Sequence, residues 1–253
     1  MVVDSYPGGA YYQIDSNSMS PGLLAKEIAK GFEKFNVVAV KSNNWCITSD
    51  DFLAFYEETA NVLGQLVPLR EGDDGNKTGE FWTDIKYTPE KADSFAFSNT
   101  MQPLHTDGAY ESNAPDVVFF FCLQPAKYGG ATFFIDGKHL VSFLKENNPG
   151  LFSYLKETNV TFAKGDDRKT ARIILEDNSG PLLTWNYFRQ VSDYLLGRHF
   201  HDWLDQHIMR AGLCTPINLR RGDALFFQDN RVLHGRYAFY GDRHLVKGAV
   251  KIQ

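Results

Sequence analysis

Apolar residues recur with two different periods along this chain. Before about residue 65 they recur every three or four positions, and the two segments that begin near Ser20 and Ser49 are predicted to be amphipathic helices. After Glu80, short β-branched and aromatic runs alternate with turn residues, which is typical of β-strands. The runs predicted as strands are residues 36–40, 81–87, 117–123, 132–135, 159–162, 171–175, 182–187, 224–228 and 245–252.

Three further helices interrupt the strands, at residues 138–147, 150–157 and about 193–210. In the last of these, the side chains expected to face inward are Leu195, Leu196, Phe200, Trp203, Leu204 and Ile208. Residues 70–78 are polar and glycine-rich, so a mobile loop is predicted there. Many short strands with peripheral helices predict a mainly β fold, either a sandwich or a jelly roll. We expect one domain over residues 1–253, with helices of about 20–65 packed on a β-structure of about 80–253.

Composition narrows the range of partners and compartments. The 253 residues are 43% hydrophobic and carry a formal charge of −5, so nucleic acid is not an expected partner. The three cysteines, Cys46, Cys122 and Cys214, are too few and too scattered for a disulfide framework or a zinc site. The N-terminus lacks a signal-peptide pattern, and no apolar run is long enough to span a bilayer. We therefore expect a cytoplasmic protein that binds a small molecule and no membrane, and homo-oligomerisation is left open.

Two short segments hold the residues that indicate chemistry. The first is Pro103-Leu104-His105-Thr106-Asp107-Gly108, and the second is Asp229-Asn230-Arg231-Val232-Leu233-His234-Gly235-Arg236. If the first segment is a strand, His105 and Asp107 point to the same face because side chains alternate. His234 follows an apolar strand and a polar turn, so we place it at a sheet edge. Two imidazoles and one carboxylate that leave one face of a metal open are typical of non-haem Fe(II) oxygenases.

The same segments resemble a known family. Leu104-His105-Thr106-Asp107-Gly108, Gly129-Gly130-Ala131-Thr132 and the segment from Asp229 to Arg236 are similar, in order and spacing, to the Fe(II)/2-oxoglutarate-dependent dioxygenases of the taurine dioxygenase (TauD/TfdA) type. The resemblance covers about residues 95–251. It implies a double-stranded β-helix, or jelly roll, with iron held by His105, Asp107 and His234. It also implies 2-oxoglutarate as cosubstrate and O2 as oxidant.

The resemblance further implies which residues hold 2-oxoglutarate. An arginine suits the far carboxylate because its planar guanidinium binds carboxylates bidentately. Arg243 matches this arginine, and Lys247 keeps the family's spacing to a second basic residue. The gap after His234 is shorter than usual in the family, so Arg236 stays open as an alternative. Thr132 matches the family's threonine at the same carboxylate, and the carboxylate of Asp107 disfavours halogenation.

For the substrate the sequence is less informative. The candidate substrate-binding residues by family position are Asn99, Thr100, Tyr110, Asn186, Arg189 and Lys247. Several cations near the site favour a small polar substrate with a carboxylate, such as an amino acid. The predicted reaction is its hydroxylation with release of succinate and CO2.

Several alternatives stay open at this point. The same iron chemistry supports desaturation, cyclisation or epimerisation, because the outcome depends on how the substrate lies. A jelly-roll binding or sensor protein without catalysis is an alternative of another class. A cupin-like metalloenzyme without 2-oxoglutarate is a further one, and it would need neither Arg243 nor Thr132.

Overall fold

Strands outnumber helices in this protein, whose computed structural model describes residues 1–4, 7–42, 48–69 and 75–252. The strands are β1 (Val2–Val3), β2 (Tyr11–Asp15), β3 (Val37–Lys41), β4 (Gln65–Leu66), β5 (Thr83–Lys86), β6 (Gln102–His105), β7 (Val117–Gln124), β8 (Tyr128–Gly129), β9 (Thr132–Asp136), β10 (Asn159–Lys164), β11 (Asp167–Arg172), β12 (Ile174–Asp177), β13 (Gly180–Leu183), β14 (Thr215–Ile217), β15 (Ala224–Gln228), β16 (Val232–Arg236), β17 (Phe239–Tyr240) and β18 (His244–Lys251). The α-helices are α1 (Pro21–Phe32), α2 (Ser49–Leu63), α3 (Gly137–Asn147), α4 (Pro149–Glu157) and α5 (Tyr194–Leu204). Short 3₁₀-helices lie at Pro89–Lys91 and Tyr187–Arg189, and a π-helical turn at Asp205–Met209 continues α5.

Two sheets face each other and form the double-stranded β-helix. Within the described residues, the larger sheet has the order β1-β2-β3-β15-β7-β18-β4, with β5 also paired to β18. The smaller sheet has the order β14-β9-β16-β6. Apolar residues between the sheets come from both, for example Phe120 and Phe227 from the larger and Phe134 from the smaller. This shared core confirms the jelly roll predicted from the resemblance.

Helices cover the outer face of each sheet. Against the larger sheet, Leu24 and Ile28 of α1 and Tyr56 of α2 join the core that contains Phe119 and Phe226. Strand β7 is therefore covered on both faces, which explains its unbroken apolar run. Against the smaller sheet, α3, α4 and α5 form a third apolar core. Helices α1 and α2 therefore lie on the outer face of the larger sheet. Strand β3 was predicted from the sequence, whereas β1 and β2 are N-terminal strands that the sequence reasoning missed.

Helix ends follow local side-chain chemistry. Ser20 begins α1, since its Oγ accepts from the backbone N–H of Leu23 at 3.3 Å and Pro21 occupies the first turn. Helix α2 was expected to be capped by the segment from Ser49, and that detail is wrong. Thr48 is the cap: its Oγ1 accepts from the N–H of Asp51 at 3.1 Å, and Asp51 accepts in return from the N–H of Thr48.

Several predicted strands have different limits. Residues 171–175 were expected to be one strand, but they fall in two, because β11 ends at Arg172 and β12 begins at Ile174. The run 182–187 leaves the sheet after Leu183 and turns into a 3₁₀-helix. The run 81–87 shortens to β5. Residues 70–74 of the predicted loop lie outside the described residues.

Individual side chains also differ from expectation. Leu195 was expected to face inward, yet it is 83% exposed, whereas Leu196, Phe200 and Trp203 are buried. Leu204 and Ile208 are also buried, so five of the six residues expected to face inward do so. Cys122 and Cys214 are buried free thiols, and Cys46 lies outside the described residues. No helix in the described part of the chain is long and apolar enough to cross a membrane.

Candidate metal and cosubstrate site

His105, Asp107 and His234 come together between neighbouring strands of the smaller sheet. Strand β16 pairs with β6 so that His234 lies opposite His105, and their ring centroids are 4.4 Å apart. The Nε2 atom of His105 is 3.5 Å from Asp107 Oδ1, and that of His234 is 3.6 Å from Asp107 Oδ2. One ligand atom from each residue lies within 4.8 Å of the others. A single cation fits such a cluster.

The local backbone differs from the sequence expectation at two of these residues. Asp107 is not part of a strand, because β6 ends at His105 and Asp107 begins a turn. His234 does not lie at a sheet edge: it is the central residue of β16, an interior strand, and it is 3% exposed. The shared face of His105 and Asp107 therefore depends on the turn and not on strand alternation.

Buried side chains hold that turn in place. The Asp229 carboxylate accepts from the backbone N–H groups of Asp107 and Gly108, both at 2.8 Å. Thr106, between the two candidate ligands, donates its N–H to the carbonyl of Trp185 at 2.6 Å and accepts from the Trp185 N–H at 3.1 Å. Hydrogen bonds to Asp229 and to Trp185 thus connect the turn to two segments that are distant in sequence. The sequence reasoning quoted Asp229 without giving it a role, and its only signal was its place in the second motif.

The protonation states suit a divalent metal. Burial raises the pKa of Asp107, but Lys247 and the two imidazoles outweigh burial and hold that pKa well below its ordinary value. Burial, followed by the neighbouring His105, lowers the pKa of His234 well below its ordinary value, so this imidazole is neutral at pH 7. His105 Nδ1 lies 2.9 Å from the carbonyl of Pro103, to which it donates. That bond leaves the Nε2 lone pair of His105 directed at the cluster.

Gln102 and Lys247 border the cluster. The amide nitrogen of Gln102 is 3.0 Å from His105 Nε2, and Lys247 Nζ is 2.9 Å from Asp107 Oδ1. Lys247 was a substrate-binding candidate, and the structure places it against the carboxylate of the candidate metal ligand. Gln102 was missed, since no pattern in the sequence distinguishes it.

The cluster opens into a cavity of about 1000 Å³. Thr132, Arg236 and Arg243 line this cavity together with His105, Asp107 and His234. Of the six substrate candidates, Tyr110, Asn186, Arg189 and Lys247 also line it. Asn99 and Thr100 are not among the described residues that do so. Their backbone carbonyls accept instead from Phe239 and Arg236 respectively.

The two candidate arginines differ in their hydrogen bonds. Arg236 donates to the backbone carbonyls of Phe95, Ser98 and Thr100 at 2.8–3.0 Å. Arg243 is 6% exposed, and its Nη1 has no hydrogen-bond partner among the described residues. Burial, followed by the charge of Arg236, lowers the pKa of Arg243 to about 9, which leaves it charged at pH 7. A buried cation without a partner is costly, so Arg243 is the arginine that an entering carboxylate would stabilise.

The segment Gly129-Gly130 lies against the side chain of Arg243. Both glycines have positive φ, 71° and 72°, a conformation that other residues rarely adopt. A Cβ at Gly130 would lie 3.1 Å from Cδ of Arg243 and 3.1 Å from Cβ of Phe239. The guanidinium of Arg243 lies 5.5 Å from the Phe239 ring centroid. Thr132, buried on β9 opposite Arg236, then adds a hydroxyl to the same end of the cavity.

Two facing sheets that enclose a cavity with two histidines and one aspartate define a cupin-like jelly-roll protein with a facial-triad cluster. The profile of the taurine catabolism dioxygenase TauD, TfdA family matches residues 9–249, and the chain belongs to this family.

Among its relatives, the gamma-butyrobetaine dioxygenase of Pseudomonas sp. (strain AK-1) is 31% identical over 202 residues, which are 72% of this chain and 51% of that protein. The trimethyllysine dioxygenase of Meyerozyma guilliermondii is 26% identical, over 75% of this chain and 50% of that protein. The chain thus spans about half the length of these relatives.

Solved structures share the fold at lower identity. An asparagine oxygenase in complex with Fe(II), 2S,3S-3-hydroxyasparagine and succinate aligns with a TM-score of 0.70 and 17% identity, covering 90% of this chain and 79% of that chain. The non-heme iron oxygenase OrfP in complex with Fe and alpha-ketoglutaric acid aligns with a TM-score of 0.66 and 16% identity, with the same coverage. These structures support the cupin-like jelly roll.

The residues present fit Fe(II) and 2-oxoglutarate. Two imidazoles and a carboxylate form the donor set that Fe(II) takes in facial-triad sites. Asp107 Oδ2, which lies 3.6 Å from His234 Nε2, is buried without a hydrogen-bond partner among the described residues. In the lining of the same cavity, Arg243 offers a guanidinium nitrogen that has no hydrogen-bond partner among the described residues.

Proposed function

We propose that this protein is an Fe(II)- and 2-oxoglutarate-dependent oxygenase that hydroxylates a small carboxylate-bearing metabolite, such as an amino acid. The observation that carries the proposal is one cavity lined both by the His105, Asp107 and His234 cluster and by Arg243, whose Nη1 lacks a hydrogen-bond partner among the described residues. Family membership and the relatives, which are named as dioxygenases, support the same reaction. With iron bound, 2-oxoglutarate and O2 supply the oxidation that converts C–H to C–OH, with release of succinate and CO2.

The protein's own residues have distinct tasks in this reaction. His105, Asp107 and His234 hold the metal, and Asp229 keeps the Asp107 turn in place. Arg243 and Thr132 bind the far carboxylate of 2-oxoglutarate. Arg236 positions the segment from Phe95 to Thr100 through its three carbonyl contacts. Phe120 and Phe227, whose ring centroids lie 6.2 and 4.3 Å from that of His234, exclude water from its inner side.

A cytoplasmic setting agrees with this chemistry. Reducing conditions keep Fe(II) from oxidation and keep the buried thiols of Cys122 and Cys214 free. The proposed partner is the small-molecule substrate alone.

A spectroscopic titration tests the proposal. We expect anaerobic apo-protein to develop a weak visible metal-to-ligand charge-transfer band on addition of Fe(II) and 2-oxoglutarate. His234→Ala should abolish the band because it removes one of three metal ligands. His139→Ala is the matched control, since this histidine is 54% exposed in its side chain and outside the cavity.

A folded, iron-loaded wild-type protein without the band would refute the proposal. Product analysis by mass then separates hydroxylation, which adds one oxygen atom, from desaturation, which removes two hydrogens.

A further inference from the structure

A bulge in β6 brings the side chain of Gln102 to the candidate metal cluster. In the pairing of β6 with β16, Gln102 lies opposite Arg236 and His105 lies opposite His234. Two residues separate Gln102 from His105 on β6, whereas only Gly235 separates their partners on β16. Without the extra residue, side chains three positions apart would point to opposite faces of the strand. Because of the bulge, Gln102 and His105 both line the cavity.

The side-chain amide of Gln102 uses the lone pair of His105 that a metal would need. His105 Nδ1 lies 2.9 Å from the carbonyl of Pro103, which can only accept, so Nδ1 carries the proton and Nε2 is the acceptor. The amide nitrogen of Gln102 lies 3.0 Å from this Nε2 and donates to it. One nitrogen lone pair cannot serve a hydrogen bond and a metal together. Metal binding at His105 therefore requires the bond from Gln102 to break.

The strand register places Gln102 beside the residues proposed to bind 2-oxoglutarate. Arg236 of β16 lies opposite Gln102 on one side and opposite Thr132 of β9 on the other, so the three form one row across the smaller sheet. Gln102, Thr132 and Arg243 all line the cavity. A cosubstrate that extends from the metal cluster toward Thr132 and Arg243 therefore lies within reach of the Gln102 amide. Hydrogen bonds from an N–H to a carboxylate are stronger than those to a neutral acceptor.

We propose that Gln102 couples metal binding to cosubstrate binding: its amide donates to His105 until a metal takes that nitrogen, and then donates to 2-oxoglutarate bound beside the metal. This role rests on the proposed function. The bond to His105 opposes metal binding, whereas the bond to 2-oxoglutarate strengthens cosubstrate binding. Loss of the amide therefore changes the two affinities in opposite directions. A residue that only supports the fold would lower both affinities.

Gln102→Leu tests the proposal through two dissociation constants. Co(II), which follows Fe(II) in the series of divalent-metal affinities, is the metal probe, and its affinity is measured in competition with a chelating dye. We expect Co(II) to bind the variant about fivefold more tightly, because one neutral hydrogen bond no longer opposes the metal. Calorimetry on the Co(II)-loaded protein should show 2-oxoglutarate binding about tenfold more weakly, because the carboxylate loses a donor.

Two further variants serve as control and as replacement. Gln65→Leu is the matched control, since Gln65 is exposed on β4 and is not among the described residues that line the cavity. Both constants should stay unchanged in this variant. Gln102→Met keeps the length of the side chain but has no donor, so it should show the same two shifts as Gln102→Leu. It replaces Gln102→Leu if circular dichroism shows that the leucine variant does not fold.

Unchanged or weaker Co(II) binding in the Gln102 variants would overturn the proposal, and so would unchanged 2-oxoglutarate binding. Equal shifts in Gln65→Leu would also overturn it. The charge-transfer band of the wild type with Fe(II) and 2-oxoglutarate separates this proposal from the proposed function. If the band forms but the two constants do not shift in opposite directions, only the role of Gln102 fails. If the constants shift as expected but no band forms, the role of Gln102 stands and the oxygenase proposal fails.

Discussion

The inner and outer parts of the cavity are built from different kinds of structure. At the inner end, His105, His234 and Thr132 lie on β6, β16 and β9, adjacent strands whose register fixes their spacing. At the outer end, Tyr110, Lys164 and Arg189 lie on a turn, at the end of a hairpin strand and on a 3₁₀-helix. Strand pairing tolerates little variation, whereas connections vary freely. The comparison teaches that the candidate metal ligands and the residues proposed to contact the substrate lie on different kinds of structure.

The largest expected effect distinguishes Arg243 from Arg236, the two arginines that were candidates for binding 2-oxoglutarate. Arg243→Ala should raise the dissociation constant for 2-oxoglutarate about 100-fold, because about 3 kcal/mol of charge-assisted binding is lost. Arg236→Ala should leave that constant nearly unchanged and instead lower the free energy of unfolding by about 2–4 kcal/mol, since three buried or partly buried backbone hydrogen bonds lose their donor. Titration of the charge-transfer band and urea unfolding measure the two quantities. If Arg236→Ala, and not Arg243→Ala, weakened 2-oxoglutarate binding, Arg236 would be the residue that binds the cosubstrate.

A smaller effect concerns the link between the two parts, the turn that carries Asp107. Asp229→Asn replaces one of two accepting oxygens with an amide group that cannot accept from a backbone N–H. We expect Fe(II) affinity to fall about tenfold, the usual size of such a change around metal ligands. A metal competition assay measures the affinity, and circular dichroism checks the fold. Asp202→Asn, on the exposed side of α5, is the control, and an equal fall in that variant would contradict a positioning role for Asp229.

The smallest effect is a pH dependence confined to the outer part. Because the pKa of Lys164 is lowered to about 7, its charge is present below pH 7 and is lost as pH rises through this value. Affinity for an acidic ligand should therefore fall by up to about tenfold between pH 6 and pH 8, while 2-oxoglutarate affinity stays level. Burial raises the pKa of the facing Tyr110, which stays neutral over this range. Arg189 remains charged throughout.

Lys164→Arg provides the check on this pH dependence, since a guanidinium keeps its charge. The slope should disappear in that variant when ligand affinity is measured by calorimetry at several pH values. A slope that survives the substitution would assign the titration to another group.

Much of the inner site was predictable because short motifs encode it locally. The structure brings residues of three short motifs into one cavity. The motifs are the His105-Thr106-Asp107 segment, the paired glycines before Thr132 and the second motif with His234. The backbone around them was less predictable. The expected strand geometry at Asp107 and the edge position of His234 were wrong, because a buried carboxylate and a buried threonine shape the turn through contacts distant in sequence.

The outer end of the cavity had almost no signal in the sequence. Arg189 was proposed from its family position, but Lys164 looks like any lysine at the end of an amphipathic strand. Only the packing of the β10–β11 hairpin against the cavity brings it to Tyr110. Leu195 shows the same limit for the core, since apolar periodicity alone placed it with the buried side chains of this helix and the structure leaves it exposed.

The sequence by itself determined the strand-rich architecture, the identity of the candidate metal-binding residues and the pair of arginines open to 2-oxoglutarate. These features depend on the local residue pattern and on side-chain type, both of which are evident from the sequence alone. The tertiary structure decided which arginine lacks a hydrogen-bond partner among the described residues, how Asp107 is held, and which cations line the outer end of the cavity. Those features depend on long-range hydrogen bonds and on burial, which change the energy of a charge only once distant segments have packed together.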